Sequence, residues 1–355
     1  MRKTQYVIAH FNKYLKTSLS ILFSRKGAES LNKLNDITAM RILVTGGAGF
    51  IGSNLVGHLL EKGFEDITIY DCLTYAGRLE NLEEFAERIT FLKKDIRNAA
   101  DIENAIKDAD IVYHLAAASH VDRSITEPET FMTTEFLGTF NILEGCRKHD
   151  ARLIHVSTCE VYGTAEEIPM GENHPLNPRS PYAASKCGAD RLCYSYHITY
   201  SLPVTIVRPF NNYGPRQHTE KLIPHFITKA LRNKNLPVYG RGEATRDWLY
   251  VGDCVEALER MRDAKAYGEA INIAGESERS VLQIAHLILE YTGKPKSLIT
   301  FVDDRPGNVP RFLGSNEKIG KILKWKPRMN FEEGLRKTVE WYKNNERWWA
   351  PLLSN

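Results

Sequence analysis

Arg41-Ile42-Leu43-Val44-Thr45-Gly46-Gly47-Ala48-Gly49-Phe50-Ile51-Gly52 joins a short apolar run to a glycine-rich turn and then, without a break, to a helix-like stretch over 51–62. Glycine lets the backbone turn sharply and come close to a phosphate, while the first turn of a helix offers N–H groups with no partner inside the helix. A strand before these glycines and a helix after them predict a cradle for a dinucleotide pyrophosphate, built from Gly46, Gly49, Phe50, Ile51 and Gly52. Such a cradle needs an acidic residue about 20 positions further on, at the end of the second strand. Asp71 stands there. Its carboxylate can accept hydrogen bonds from an adenine ribose and would repel a 2′-phosphate, which favours NAD over NADP. Asp95 and Ile96, after the third strand, are expected to flank the adenine, and Ala116, after the fourth, to border the cofactor.

From Met40 onward, β-branched runs alternate with helical stretches. Arg41–Thr45, Asp66–Tyr70, Ile89–Lys93, Ile111–His114, Arg152–Ser157 and Val204–Arg208 read as strands. Helices are expected near 51–62, 79–87, 100–107, 127–148 and 182–200. This alternation predicts an α/β fold, a Rossmann-type doubly wound parallel sheet with helices on both faces. After about residue 210 the pattern loosens and Pro and Gly become frequent, with further helices expected at 219–232, 253–263, 280–292 and 331–345. A smaller C-terminal α/β substrate domain is expected from this. The expected division is 1–39 as an extension and 40–215 as the cofactor domain, with a returning segment near 243–275. Residues 216–242 and 276–345 then form the substrate domain.

A chain of 355 residues, 43% hydrophobic, has enough apolar material for a large core and two domains. Its net charge of +3 conceals an asymmetry: residues 1–39 carry seven Lys/Arg against Glu29 and Asp36, which leaves the remainder at about −2. A nearly neutral body does not suit nucleic acid. The six scattered cysteines include no CxxC pair, which argues against a disulfide framework and a zinc site and for a reducing cytoplasm. No apolar run approaches the roughly 18 residues that a membrane span requires. The first 39 residues are open to three readings: an amphipathic surface helix over Tyr6–Ser24, a transit peptide, or a natural start at Met40. No function is assigned to them.

Tyr182 and Lys186 lie four apart at the start of a predicted helix and so project from one face. A phenol, ordinarily titrating near ~10, is too weakly acidic to serve as a base at neutral pH. A neighbouring ammonium and a positive nicotinamide ring are expected to favour phenolate, so that Tyr182 takes a hydroxyl proton while hydride leaves the same carbon. Upstream, Ser157-Thr158-Cys159-Glu160-Val161-Tyr162-Gly163 ends the fifth strand, where a parallel sheet borders its ligand crevice. Thr158 suits a hydrogen bond to a substrate oxygen, and Glu160 suits a general base. Cys159 reads either as a proton donor or as a small buried hydrophobe.

These residues resemble the extended short-chain dehydrogenase/reductase superfamily and, within it, the nucleotide-sugar 4,6-dehydratases, especially the dTDP-glucose type. The likeness runs from Met40 nearly to Trp349. It includes His114-Leu115-Ala116-Ala117, Ser119-His120-Val121-Asp122-Arg123-Ser124 and Ser180-Pro181-Tyr182-Ala183-Ala184-Ser185-Lys186. It continues through Arg208–Pro215, Glu220–Pro224, Arg246–Val251 and Asp304-Arg305-Pro306-Gly307. The resemblance implies that Ser119, Asn212, Lys221, Leu222, Tyr239, Arg246, Arg305 and Asn308 bind a dTDP- or UDP-hexose. It also implies homodimerisation through the helices near 127–148 and 182–200. The implied chemistry is oxidation at sugar carbon 4, loss of water across carbons 5 and 6, and return of hydride. A 4-epimerase would use Tyr182 and Lys186 but would need no acid/base pair at 159–160.

Three departures stand out. The dTDP-glucose enzymes carry Asp where this chain has Cys159. Cysteine there is similar to the tunicamycin-pathway UDP-GlcNAc 5,6-dehydratases, in which hydride returns to carbon 4. Glu135 stands where many relatives have an Asn that supports the active-site helix. Asn308-Val309 replaces a His-Asp pair, which makes UDP as suitable a carrier as dTDP.

Overall fold

The computed structural model describes residues 39–303 and 311–353. The glycine turn sits where the sheet changes direction. The strands are β1 (Arg41–Thr45), β2 (Asp66–Asp71), β3 (Thr90–Lys93), β4 (Ile111–His114), β5 (Arg152–Val156), β6 (Val204–Pro209) and, later in the chain, β10 (Ala270–Ile273). They form one parallel sheet in the order β3-β2-β1-β4-β5-β6-β10. The order reverses between β1 and β4, so their carboxyl ends open a crevice where loops diverge to opposite sides.

Both faces of this sheet are buried, and the period-2 alternation of a strand says which residue serves which face. Ile42, Val44, Ile111, Tyr113, Ile154 and Val156 point to one side, where α1 (Phe50–Glu61) supplies Leu55, Val56 and Leu59. Leu43, Val112 and Leu153 point to the other, against Ile102 and Ile106 of α2 (Ala99–Ile106). Beyond α3 (Val121–Thr126) and α4 (Pro128–Phe131), that second face is completed by α5 (Gly138–His149) and α6 (Pro181–Tyr200). Helix α6 starts cleanly. Pro181 occupies its first turn, and the Ser180 side chain accepts the Ala183 N–H at 3.1 Å, which caps an otherwise unpartnered donor.

The remaining strands are short: β7 (Asn211–Tyr213), β8 (Leu236–Tyr239), β9 (Thr245–Tyr250), β11 (Glu278–Ser280) and β12 (Ile299–Val302). They build a three-stranded sheet, β11-β9-β7, and a parallel pair, β12-β8. Around them pack α7 (Leu222–Leu231), α9 (Val281–Thr292) and α10 (Phe331–Asn344), with Ile223, Phe226, Ile284, Ile288, Leu335 and Tyr342 as their core. Between these, α8 (Val251–Met261) returns to lie on α1 and adds Cys254, Val255 and Leu258 to the first core.

Two expectations need correction. The helix expected over 79–87 is a pair of tight 3₁₀ turns, Leu79–Asn81 and Glu83–Arg88. The single helix expected over 127–148 is interrupted between α4 and α5 by a π turn, Met132–Leu137. A π turn inserts one extra residue and rotates the helix beyond it, and here it carries Glu135 inward while Phe136 and Leu137 stay exposed.

One buried charge pair ties the first lobe together. Arg208 of β6 grips Asp190 of α6 with two bonds of 2.8 and 2.9 Å and donates a third, 3.0 Å long, to the Tyr162 hydroxyl. Burial alone would push the Asp190 carboxyl up, but the hydrogen bonds and charge of Arg208 outweigh it and bring it down to about 2. Asp190→Ala leaves Arg208 buried without its counter-ion. It is expected to cost roughly 3–5 kcal/mol of stability, measured as a lowered urea midpoint with an unchanged slope.

Candidate active site

At the carboxyl end of β1, Gly46 adopts φ +71°, and a side chain there would put its Cβ 2.5 Å from the Ala116 nitrogen. A Cβ at Gly52 would lie 2.2 Å from the Gly46 carbonyl oxygen. Only glycine fits either place, so the turn is held flat against the start of α1. That helix has Gly49 as its N-cap and no side-chain cap, which leaves its first N–H groups facing the turn. Asp71, at the end of β2, is nearly buried and accepts the Ala48 N–H at 3.0 Å and the Leu73 N–H at 2.9 Å. Burial pushes its carboxyl up, and these two bonds pull it back. Each carboxylate oxygen keeps a second lone pair for a ribose hydroxyl. The tight glycines, the open helix start and the acid on the next strand fit a dinucleotide.

Ala116 lies against this turn, its N–H 3.3 Å from Thr45 Oγ1. Asp95 and Ile96 come to the end of β3, but their side chains are engaged. Asp95 forms a two-point pair with Arg97, closest at 2.6 Å. Ile96 packs against Gly138 of α5, and its carbonyl accepts the Asn141 amide at 3.0 Å.

Tyr182 and Lys186 do share one buried face of α6. Lys186 Nζ donates to the Val156 carbonyl at the tip of β5 at 3.2 Å and stands 2.9 Å from Glu135 Oε2. The Tyr182 phenol is pushed well up, first by burial and then by the negative charges of Glu135 and Glu160, with a hydrogen bond from Thr158 pulling the other way. The charge of Lys186 is engaged by Glu135.

Thr158 joins the base pair of residues. Its hydroxyl accepts the Glu160 N–H at 3.2 Å, capping the 3₁₀ turn Cys159–Tyr162. Glu160 also acts electrostatically on Cys159 and on Lys221. One crevice therefore holds the phenol, the carboxylate and the thiol. Cys159 is only 2% exposed and packs with Met170, Phe210 and Phe312. Burial, helped by Glu160, pushes its thiol well above the ordinary range, so it keeps its proton at neutral pH.

Of the residues expected to hold a sugar nucleotide, Lys221 donates to the Ser119 carbonyl at 2.7 Å, which brings these two together, and Leu222 opens α7. Asn212 donates to the Phe210 carbonyl at 3.0 Å. Arg246 on β9 lies over the Phe312 ring, 5.2 Å from its centre, and its charge reaches Cys159. Tyr239 stands exposed at the end of β8. Arg305 and Asn308 lie outside the described residues, as does the extension over 1–38. A cluster for which the sequence suggested no role adjoins Lys221: Glu220 gathers His120 at 3.6 Å, Arg123 at 3.7 Å and His218 at 3.9 Å. His120 and Arg123 lie far in the chain from His218 and Glu220, and the fold brings the two pairs together.

The sequence profile of the GDP-mannose 4,6-dehydratase family matches residues 43–338. A dTDP-glucose 4,6-dehydratase of an Actinoplanes strain is 42% identical over 320 residues, 88% of this chain and 100% of that protein. The dTDP-glucose 4,6-dehydratase 1 of Escherichia coli K12 is 44% identical over 340 residues, covering 87% and 94% respectively. Among solved structures, the Streptomyces venezuelae dTDP-glucose 4,6-dehydratase crystallised with NAD superposes with a TM-score of 0.86. Its identity is 40%, and the match covers 88% of this chain and all of that one.

Proposed function

The chain belongs to the GDP-mannose 4,6-dehydratase family, and on that basis we propose that it is an NAD-dependent nucleotide-sugar 4,6-dehydratase acting on a dTDP-hexose. The observation that carries this reading is the 3.2 Å bond from Lys186, one helical turn from Tyr182, to the Val156 carbonyl, which sets that face of α6 against the strand end that leads into Glu160. It keeps a base for oxidation and a base for elimination on one sugar.

NAD, held by the glycine turn and Asp71, supplies the hydride acceptor for the first half of the cycle and the hydride donor for the second. Tyr182 takes the proton of the carbon-4 hydroxyl as that carbon becomes a ketone. The ketone acidifies the hydrogen on carbon 5, which Glu160 removes. Cys159, which keeps its thiol proton, gives it to the departing carbon-6 hydroxyl, and water leaves. Reduction at carbon 6 and reprotonation at carbon 5 complete a 4-keto-6-deoxy sugar. Ser119, Asn212, Lys221, Leu222, Tyr239 and Arg246 hold the substrate, with Arg supplying the planar fork that suits a diphosphate.

Incubation with dTDP-glucose and NAD is expected to give a product lighter by one water, with a proton spectrum that shows a carbon-6 methyl doublet. An unchanged mass would replace this reading with epimerisation. Cys159 favours a second outcome: two vinylic protons in place of the methyl would mean return of hydride to carbon 4, and UDP-GlcNAc as the substrate to try first.

The exposed apolar residues Met132, Phe136, Phe140, Tyr194 and Ile198 support a homodimer. They lie on the adjoining π turn, α5 and α6, and a second copy of the chain would cover them; light scattering at twice 40.4 kDa tests this. Six free cysteines, Cys72 among them exposed, support a reducing cytoplasm. Among the described residues no helix is long and apolar enough to cross a membrane. In this reading residues 40–215, with the segment near 243–275, form the cofactor domain, and 216–242 and 276–345 form the substrate domain.

A further inference from the structure

Glu135 is wholly buried, and it sits on a turn whose neighbours Phe136 and Leu137 face outward. A buried carboxylate on such a turn is costly unless it is paired and bonded. Oε1 accepts the Ala118 N–H at 2.6 Å, and Oε2, with no hydrogen-bond partner of good geometry, stands 2.9 Å from Lys186 Nζ as its ion pair. Ala118 belongs to the loop that leaves β4 beside the glycine turn, and Lys186 belongs to α6. The carboxylate therefore joins the cofactor loop to the lysine that lies one helical turn from Tyr182. The π turn makes this possible, because it rotates one residue of an otherwise exposed surface into the crevice wall.

We infer that Glu135 is a positioning residue that holds Lys186 in a fixed ion pair and thereby sets the pH at which Tyr182 begins the oxidation of the sugar. This rests on Tyr182 being the base assigned above.

The charged surroundings leave few alternatives. Facing Tyr182 are Glu135 from the π turn and Glu160 and Cys159 from the turn after β5. Facing Lys186 are Glu135, His114 of β4, His155 of β5, and Asp190 and Cys193 of its own helix. Burial pushes His155 down to about 3 and His114 well down, so neither ring is charged in the working range. Asp190 is committed to Arg208. Glu135 is thus the counter-ion of Lys186, and its negative charge opposes ionisation of the phenol. Its own carboxyl is pushed up by burial and pulled back by Lys186.

Removing the charge at 135 leaves the Lys186 ammonium uncompensated and takes a negative neighbour from Tyr182, and both changes favour phenolate. Glu135→Gln and Glu135→Asn are therefore expected to move the acid limb of the oxidation step to lower pH by about one unit or more, the effect of one like charge at close range. Below that limb the rate, relative to its plateau, should rise about tenfold. Glu135→Asp keeps the charge and should leave the limb near its original place.

Two measurements on the NAD-loaded protein test this. One is the pH dependence of the first oxidation in a single turnover with dTDP-glucose. The other needs no sugar: a titration of the Tyr182 Cζ resonance in ¹³C-tyrosine-labelled protein, assigned by its loss in Tyr182→Phe. Both midpoints should fall together in the neutral variants. Unmoved or raised midpoints overturn the inference. If the unsubstituted protein oxidises no sugar nucleotide, the proposed function fails, while the resonance still decides the role of Glu135. Should the neutral variants not fold, the carboxyl carbon of Glu135 in the unsubstituted protein gives the answer. It should report the ionised form at the pH at which the sugar is oxidised, and a protonated carboxyl there overturns the pairing.

Discussion

Tyr182→Phe protein mixed with NAD and dTDP-glucose is expected to show no rise in the absorbance of reduced nicotinamide, with the oxidation step slowed by about 10²–10⁴-fold or more. The exchange removes one oxygen and nothing else. Phe keeps the ring that packs against Phe131, 6.1 Å between centres. NAD affinity should therefore stay within a few-fold, and that equality separates a lost base from a lost site. In the unsubstituted protein the same step should accelerate with rising pH. Burial, Glu135 and Glu160 all hold the phenol in its protonated form, so the fraction able to accept a proton grows tenfold per unit until bound cofactor and substrate set the limit. A variant that still oxidised the sugar at the original rate would remove Tyr182 from the chemistry.

The residues legible in the sequence are those whose role is local. Gly46, Gly49 and Gly52 are readable because the close approach they permit depends on atoms a few residues away. Asp71 is readable because a strand of known length puts it at a strand end. Tyr182 and Lys186 announce a shared face by their spacing alone. The six strands from β1 to β6 are readable for the same reason, each being a compact β-branched run. What could not be read depends on contacts across the fold. The seventh strand, Ala270–Ile273, is four residues long, includes the polar Asn272, and is fixed by pairing with β6 and by the Tyr162 hydroxyl at 2.6 Å. The π turn is invisible to a pattern search, since its apolar residues continue the periodicity of the helices on either side. Glu135 therefore stood out as an oddity without a partner in view. Its partner is Lys186, fifty-one positions later.

Glu160→Gln should separate the two halves of the reaction. Gln is nearly the same size and keeps the backbone N–H that Thr158 caps, but it cannot take a proton from carbon 5. Oxidation should proceed and elimination should stall, so that reduced nicotinamide accumulates toward one equivalent per site while release of the deoxy sugar falls by about 10²–10⁴-fold. The exchange also removes one of the negative charges that keep Tyr182 protonated. The oxidation half should therefore run at lower pH than in the unsubstituted protein, the opposite of what general damage to the crevice would cause. Solvent deuterium supplies an independent reading. Reprotonation after elimination places one deuterium at carbon 5 of the product in D₂O, whereas sugar recovered from the stalled variant should carry none. Steady turnover by Glu160→Gln, with deuterium at carbon 5, would assign the second proton transfer to another group.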